Sequence, residues 1–369
     1  MSTIKEVPQG KPAQSLWSFR IATVAGIPIR VHFTFLLFFV WIGANSVSIS
    51  WPLLILTLFG CVILHELGHA LTAQHFNVQT RDITLYPIGG VAMLEGRPTP
   101  RQELWIALAG PAVNVAIGLL LAPIAIISSH GHIDFHVLGE KDSFLTDVMV
   151  MNLILAGFNL IPAFPMDGGR VVRAALAIRM PEPKATQIAA SIGQALAIGF
   201  AIWGLLKPDV FLVLIAFFVF VGAGQEASAS MTRSFLTGHI LKDAMMTAFQ
   251  TIEHGLTLED AAQMLLSGAQ HDFPVLVGDQ VAGILTRNDI ARGLATVGPT
   301  AYVSEIMNRA PKTASPNLPL EKALELFQQS DSTPILVMDE DKLVGMATSE
   351  NLSEFIMLQA ARVQGKRAA

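Results

Sequence analysis

One cysteine, Cys61, occurs among 369 residues. An internal disulfide framework is therefore excluded, and with it the small secreted folds that depend on one. Charge is also scarce. Asp, Glu, Lys and Arg make up 14% of the chain, where a soluble domain carries roughly 25%. The net charge of −5 is mild, and no basic patch interleaves with aromatics, so nucleic acid is not among the expected partners. The first 20 residues are polar, with Pro8 and Pro12. They lack the apolar core and cleavage site of a signal peptide and read as a cytoplasmic leader, poorly ordered at its start.

What is present is hydrophobic: 52% of residues, with a mean hydropathy of +0.51. Six apolar stretches run about 31–46, 51–75, 103–128, 144–163, 186–206 and 208–226. A membrane span needs roughly 20 residues. The first stretch is short, and Gln187, Ser191 and Gln194 interrupt the fifth. Lys5, Lys11, Arg20, Arg30, Arg81, Arg97, Arg101, Arg170, Arg173, Arg179 and Lys184 fall on one side of this topology, and only Lys141 and Lys207 on the other. The bias places both termini in the cytoplasm of a multi-pass protein of the inner (cytoplasmic) membrane. Between the second and third stretches, residues 78–86 alternate, Pro87-Ile88-Gly89-Gly90 turns, and 91–94 resume. That pattern predicts a hairpin near the membrane surface. Strand edges cannot face lipid unsatisfied, so it must be buried in protein, line a wet cavity or pair with an incoming peptide.

The second stretch carries His65-Glu66-Leu67-Gly68-His69. On a helix, residues four apart share a face, so the two histidines can grip one metal ion. Glu66 lies beside them and can activate a water. The motif alone is weak, since polar residues at a helix end can be satisfied by neighbours. Ionisable clusters at membrane depth are costly, however, and are functional by default. Asp167, just past the fourth stretch and on the same predicted side, offers the third ligand that a catalytic zinc needs.

Together with Asn159-Leu160-Ile161-Pro162-Ala163-Phe164-Pro165-Met166-Asp167-Gly168-Gly169 and Gly110-Pro111-Ala112-Val113-Asn114, these residues resemble the site-2 protease family of intramembrane metalloproteases. The resemblance covers roughly residues 15–225. It implies His65, His69 and Asp167 as ligands of one Zn2+, Glu66 as general base, and Asn159 as a polar residue holding the oxyanion or the substrate backbone. It also implies that the hairpin presents substrate as an added strand, and that the partner is a single-pass transmembrane protein. The implied fold is an α-helical polytopic membrane protein of about six transmembrane helices, with its protease domain at 1–227 and a linker at 228–238.

From about residue 238 the composition turns to soluble α/β and repeats. Leu258-Glu259-Asp260-Ala261 answers Leu320-Glu321-Lys322-Ala323, and Phe273-Pro274-Val275-Leu276-Val277 answers Thr333-Pro334-Ile335-Leu336-Val337. Each unit reads helix, strand, turn, strand, helix, and two units should pack as a pseudo-symmetric pair. The repeat resembles a CBS pair, with units at 239–297 and 302–360. That resemblance implies an adenine-nucleotide site using Thr286 and Asp289, and a homodimer surface. The second unit departs from the pattern: Thr348 is kept, but Asn351 replaces the aspartate.

Cys61 lies one turn before His65 and reads as a small core residue. His130, His132 and His136 form a second cluster, expected as a polar loop, and His32 opens the first stretch as an interfacial or cavity histidine. The expected function is zinc-dependent cleavage of a transmembrane segment, tuned by nucleotide at the CBS pair. The rival is a CBS-regulated transporter or channel, which leaves Glu66 within a zinc-ligand spacing unexplained.

Overall fold

A computed structural model describes residues 17–45, 50–87, 89–128, 144–328 and 333–368. The chain divides into two compact units, Met1–Ser230 and Met231–Ala369.

The first unit opens with a hairpin, β1 (Ser18–Val24) and β2 (Ile27–His32), joined through Ala25 and Gly26. Both turn residues have positive φ, as a two-residue hairpin loop requires. The segment expected as a leader thus supplies a strand. Helices α1 (Phe33–Asn45) and α2 (Ser50–His75) follow, then β3 (Gln79–Tyr86) and β4 (Gly89–Glu95). The sheet order is β1-β2-β3-β4, with β2 parallel to β3 and the outer pairs antiparallel. Alternation in β2 buries Ile27 and Ile29 with Ile83 of β3 against Leu67 and Ala70 of α2. One sheet face therefore packs on the helix that carries the histidine motif.

Helices α3 (Pro100–Ser128), α4 (Phe144–Asn159), α5 (Asp167–Ala177), α6 (Glu182–Leu206) and α7 (Val210–Leu236) complete this unit and reach into the next. Among the described residues, four helices are long and apolar enough to cross a membrane: α2, α3, α6 and α7. The first and fourth expected spans form shorter apolar helices, α1 and α4. Val31 and His32, the start of the first apolar run, belong to β2. The end of the fourth run, 160–163, is a turn rather than helix. The stretch 228–238, expected as a linker, is helical to Leu236.

In the second unit, β5 (Ile252–Glu253), α8 (Leu258–Ser267), β6 (Asp272–Val277), β7 (Gln280–Thr286) and α9 (Arg287–Thr296) form one repeat. After the short α10 (Val303–Ile306), the second repeat comprises β8 (Lys312–Ala314), α11 (Leu320–Gln328), β9 (Ile335–Asp339), β10 (Lys342–Ala347) and α12 (Ser349–Ala368). Each sheet has three strands, with one parallel and one antiparallel pairing. The repeats exchange their leading segments. Leu236 and Leu241, which precede the first repeat, are buried with Leu320, Ile335 and Val337 of the second. Val303, which precedes the second sheet, is buried with Ile252, Phe273 and Leu285 of the first. Ile284, Leu336 and Met346 join the two. Neither repeat closes its core alone, in keeping with the pairing expected from the sequence.

Candidate metal centre

Positions 65 and 69 fall on the face of α2 that meets α3. A Cβ on Gly68 would lie 2.8 Å from Val113 Cγ2 and 2.9 Å from Ala109 O, so only glycine allows this approach. Gly110 on α3 backs directly onto the imidazoles: a Cβ there would lie 2.7 Å from His65 Nε2 and closer still to His69 Nε2.

Each histidine is fixed by its outer nitrogen. His69 Nδ1 donates to Ile106 O at 2.6 Å. His65 Nδ1 donates to Asn114 Oδ1. Asn114 is fully buried, and its Nδ2 donates to Asn152 Oδ1 at 2.8 Å. Asn152 in turn donates to Val148 O at 2.8 Å and to Cys61 Sγ at 3.3 Å. With Nδ1 protonated, both Nε2 atoms carry their lone pairs inward, the form that binds a metal.

Asp167 comes from the other half of the unit. It is the first residue of α5, where a carboxylate suits the helix dipole. The next two glycines fold the chain tightly onto the preceding turn. A Cβ on Gly168 would collide with Leu160 O and Ile161 O, and one on Gly169 would lie 2.6 Å from Phe164 N. The Phe164–Pro165 peptide is cis. This fold-back brings Asp167 Oδ2 to 3.2 Å from His65 Nε2 and 3.1 Å from His69 Nε2, with the two Nε2 atoms 3.1 Å apart. All three residues are buried.

These separations test the fit to zinc. Tetrahedral ligands at about 2.0–2.1 Å from the ion stand roughly 3.3 Å from one another. The observed triangle is close to that, and its donor set of two neutral imidazoles and one carboxylate suits the ion. Among the described residues, His65, His69 and Asp167 form the one group of this kind. Cys61 is not part of it. His130, His132 and His136 lie outside the described residues.

The triad opens into a cavity of about 570 Å³. Glu66, Asn159 and Arg170 line it, as do Gly89–Ala92 and Leu94 of β4. Gly90 packs on Glu66, since a Cβ there would lie 2.6 Å from Glu66 Cγ. Beside the cavity, Arg173 of α5 pairs with Glu103 of α3 and Glu226 of α7, and its guanidinium lies 5.3 Å from the Phe164 ring centroid. The sequence reading missed Asn152 and this ion-pair cluster, because each is assembled from distant helices. Asn114 was visible only within its motif.

In the second unit, Thr286 caps α9. Its Oγ1 accepts from Asp289 N at 3.2 Å, and Asp289 Oδ2 accepts from Thr286 N at 3.1 Å and from Thr286 Oγ1 at 2.7 Å. Arg292 holds Asp289 Oδ1. Asn351 makes the same cap with Thr348, with Oδ1 accepting from Thr348 N at 3.2 Å and from Oγ1 at 3.0 Å. The Thr-x-x-Asp/Asn pattern is thus a capping box in both repeats.

A metal triad with a glutamate beside it, set among helices of membrane-spanning length, defines a class: a zinc-dependent membrane metalloprotease. Comparisons place it more narrowly. Residues 53–142 and 123–200 match peptidase family M50, and residues 241–296 and 303–358 match the CBS domain. A zinc metalloprotease of Methanocaldococcus jannaschii is 34% identical over 91% of this chain and 95% of its own. Rip3 of Mycobacterium tuberculosis is 28% identical over 91% of this chain and 92% of its own. The solved site-2 protease of M. jannaschii aligns with a TM-score of 0.44 and 41% identity, over 57% of this chain and 95% of that one. The chain belongs to peptidase family M50, the site-2 proteases, and carries a C-terminal CBS pair. It is a multi-pass membrane metalloprotease, and the transporter reading falls away.

Proposed function

We propose that the enzyme cleaves a transmembrane segment of single-pass proteins, with one zinc ion on His65, His69 and Asp167, Glu66 as general base, and Asn159 steadying the substrate backbone. The observation that carries this reading is a shared cavity, lined both by the metal triad and by β4. When bound, zinc polarises a carbonyl and makes water a nucleophile near neutral pH. Glu66 takes the proton from the attacking water and passes it to the departing nitrogen. Among the described residues, β4 ends the sheet, with β3 as its one strand neighbour. Its outer backbone groups are free to pair with an added strand. A substrate helix hides its carbonyls in internal bonds and must unwind before it is cut. Pairing with β4 replaces those bonds where lipid offers none.

A model single-pass substrate tests this reading. Replacing one alanine beside the cut by glycine weakens the helix by about 1 kcal/mol. Cleavage should speed up roughly fivefold, the rate equivalent of that energy. Equal or slower cleavage of the glycine substrate would remove unwinding, and with it β4 pairing, from the mechanism.

The CBS pair is read as a regulatory module that takes an adenine nucleotide at Thr286 and Asp289 and offers a homodimer surface. The carboxylate would accept both ribose hydroxyls, displacing Arg292. Asp289→Asn is the informative variant, because Asn351 shows that asparagine keeps the cap. Calorimetry on the full chain with AMP, ADP and ATP should show binding by wild type and at least about tenfold weaker binding by the variant, since a hydrogen bond to a charged group contributes about 1.5–3 kcal/mol. No uptake by wild type at millimolar nucleotide would leave the pair as a docking or dimerisation module.

A further inference from the structure

We propose that Arg20 and Arg30 form a binding site for the phosphate of an anionic phospholipid headgroup. The two residues are direct cross-strand partners in the β1–β2 hairpin, so their side chains share one face of the sheet. Like charges placed opposite one another destabilise a strand pair. Among the described residues, neither arginine has a carboxylate partner that would offset this repulsion. Arg30 Nη1 donates to Ser18 Oγ at 3.4 Å, and its Nε is buried with no partner at all. Asp82, which the register puts on the same face, is engaged by Thr84 Oγ1 at 3.2 Å and lies 3.9 Å from Arg81 Nε. Edge protection would need only the outer arginine. The second, on the inner strand and with an idle donor, points to an anion shared by both.

The position selects a lipid. Arg30 lies three residues before Phe33, the first residue of α1, and so within about 10 Å of it. Leu36, Leu37, Val40 and Trp41 of α1 are exposed apolar residues, as expected of a lipid-facing surface. Trp17, whose carbonyl accepts from Phe33 N at 2.8 Å, packs its ring tilted against that of Phe33 with centroids 5.7 Å apart, and tryptophan is enriched at membrane interfaces. α1 has 13 residues and spans about 20 Å, against roughly 30 Å of hydrocarbon. A helix that short meets the headgroup layer through local thinning of the bilayer and snorkelling of long flanking side chains, and Arg30 is such a side chain. Two guanidinium forks there match phosphate oxygens.

The test uses the full chain, reconstituted with equal phosphatidylglycerol and phosphatidylcholine and then read by native mass spectrometry. Wild type should retain phosphatidylglycerol one to one. The Arg20→Gln/Arg30→Gln double variant should retain roughly thirtyfold less, from the usual contribution of two basic residues at an anionic surface. Arg101→Gln, which removes a cation elsewhere on the same predicted side, should behave as wild type. Unchanged zinc content verifies that each variant is folded. Equal retention by wild type and double variant, or equal loss in Arg101→Gln, would overturn the site. Displacement of the lipid by 10 mM inorganic phosphate, on the order of what a free-anion pocket needs, would overturn its assignment to lipid.

Discussion

Glu66→Gln should lose proteolysis by at least about 10²-fold, the usual contribution of a positioned general base, while keeping one zinc per chain. Glutamine fills the same space, so its contact with Gly90 survives. The ligand group does not include position 66, and the outer bonds of His65 and His69 go to Asn114 and Ile106. What changes is the proton acceptor: an amide cannot take a proton from water at neutral pH. Cleavage of a single-pass substrate and metal analysis of the same preparation provide the two readouts. Near-wild-type cleavage would move the base elsewhere. Loss of zinc together with activity would make Glu66 a ligand and the triangle incomplete.

Local periodicity made the histidine pair legible from sequence, since residues 65 and 69 share a helix face whatever surrounds them. Asp167 was reachable through topology, because the charge bias puts its segment on the same side as the end of α2. The β3–β4 hairpin showed in its alternation. The β1–β2 hairpin did not. Ser18–Val24 is an edge strand exposed on both faces, so no alternation marks it, and β2 joins β3 only after two intervening helices. Apolar composition also misjudged lengths. Leu160–Ala163 looks like the end of a span, yet it forms a tight turn against which Gly168 and Gly169 pack. The stretch 228–238 looked like a linker, but α7 continues through it to Leu236. The buried chain from His65 through Asn114 to Asn152 spans three helices, and no spacing within one segment encodes it.

Gly110→Ala should empty the metal centre while leaving the protein folded. Two effects oppose each other at this position. Gly110 lies inside α3, where alanine favours the helix by about 1 kcal/mol. The added methyl, however, would stand 2.7 Å from His65 Nε2 and 2.6 Å from His69 Cε1. It would crowd the inner edge of both rings, where the lone pairs converge with Asp167. The imidazoles cannot retreat freely, because His69 is tied to Ile106 O at 2.6 Å and His65 to the buried Asn114. A helix that is intrinsically more stable thus forces apart a triangle whose sides are 3.1–3.2 Å. Zinc tolerates departures of only about 0.2 Å in its ligand distances, so the steric term wins. Metal analysis should fall from one zinc per chain toward zero, with proteolysis lost in step and helical content unchanged by circular dichroism. Gly157→Ala on α4, where an added Cβ meets nothing within 4 Å, is the matched control and should keep both zinc and activity. Full zinc occupancy in Gly110→Ala would mean that the close approach of α3 is not what shapes this centre.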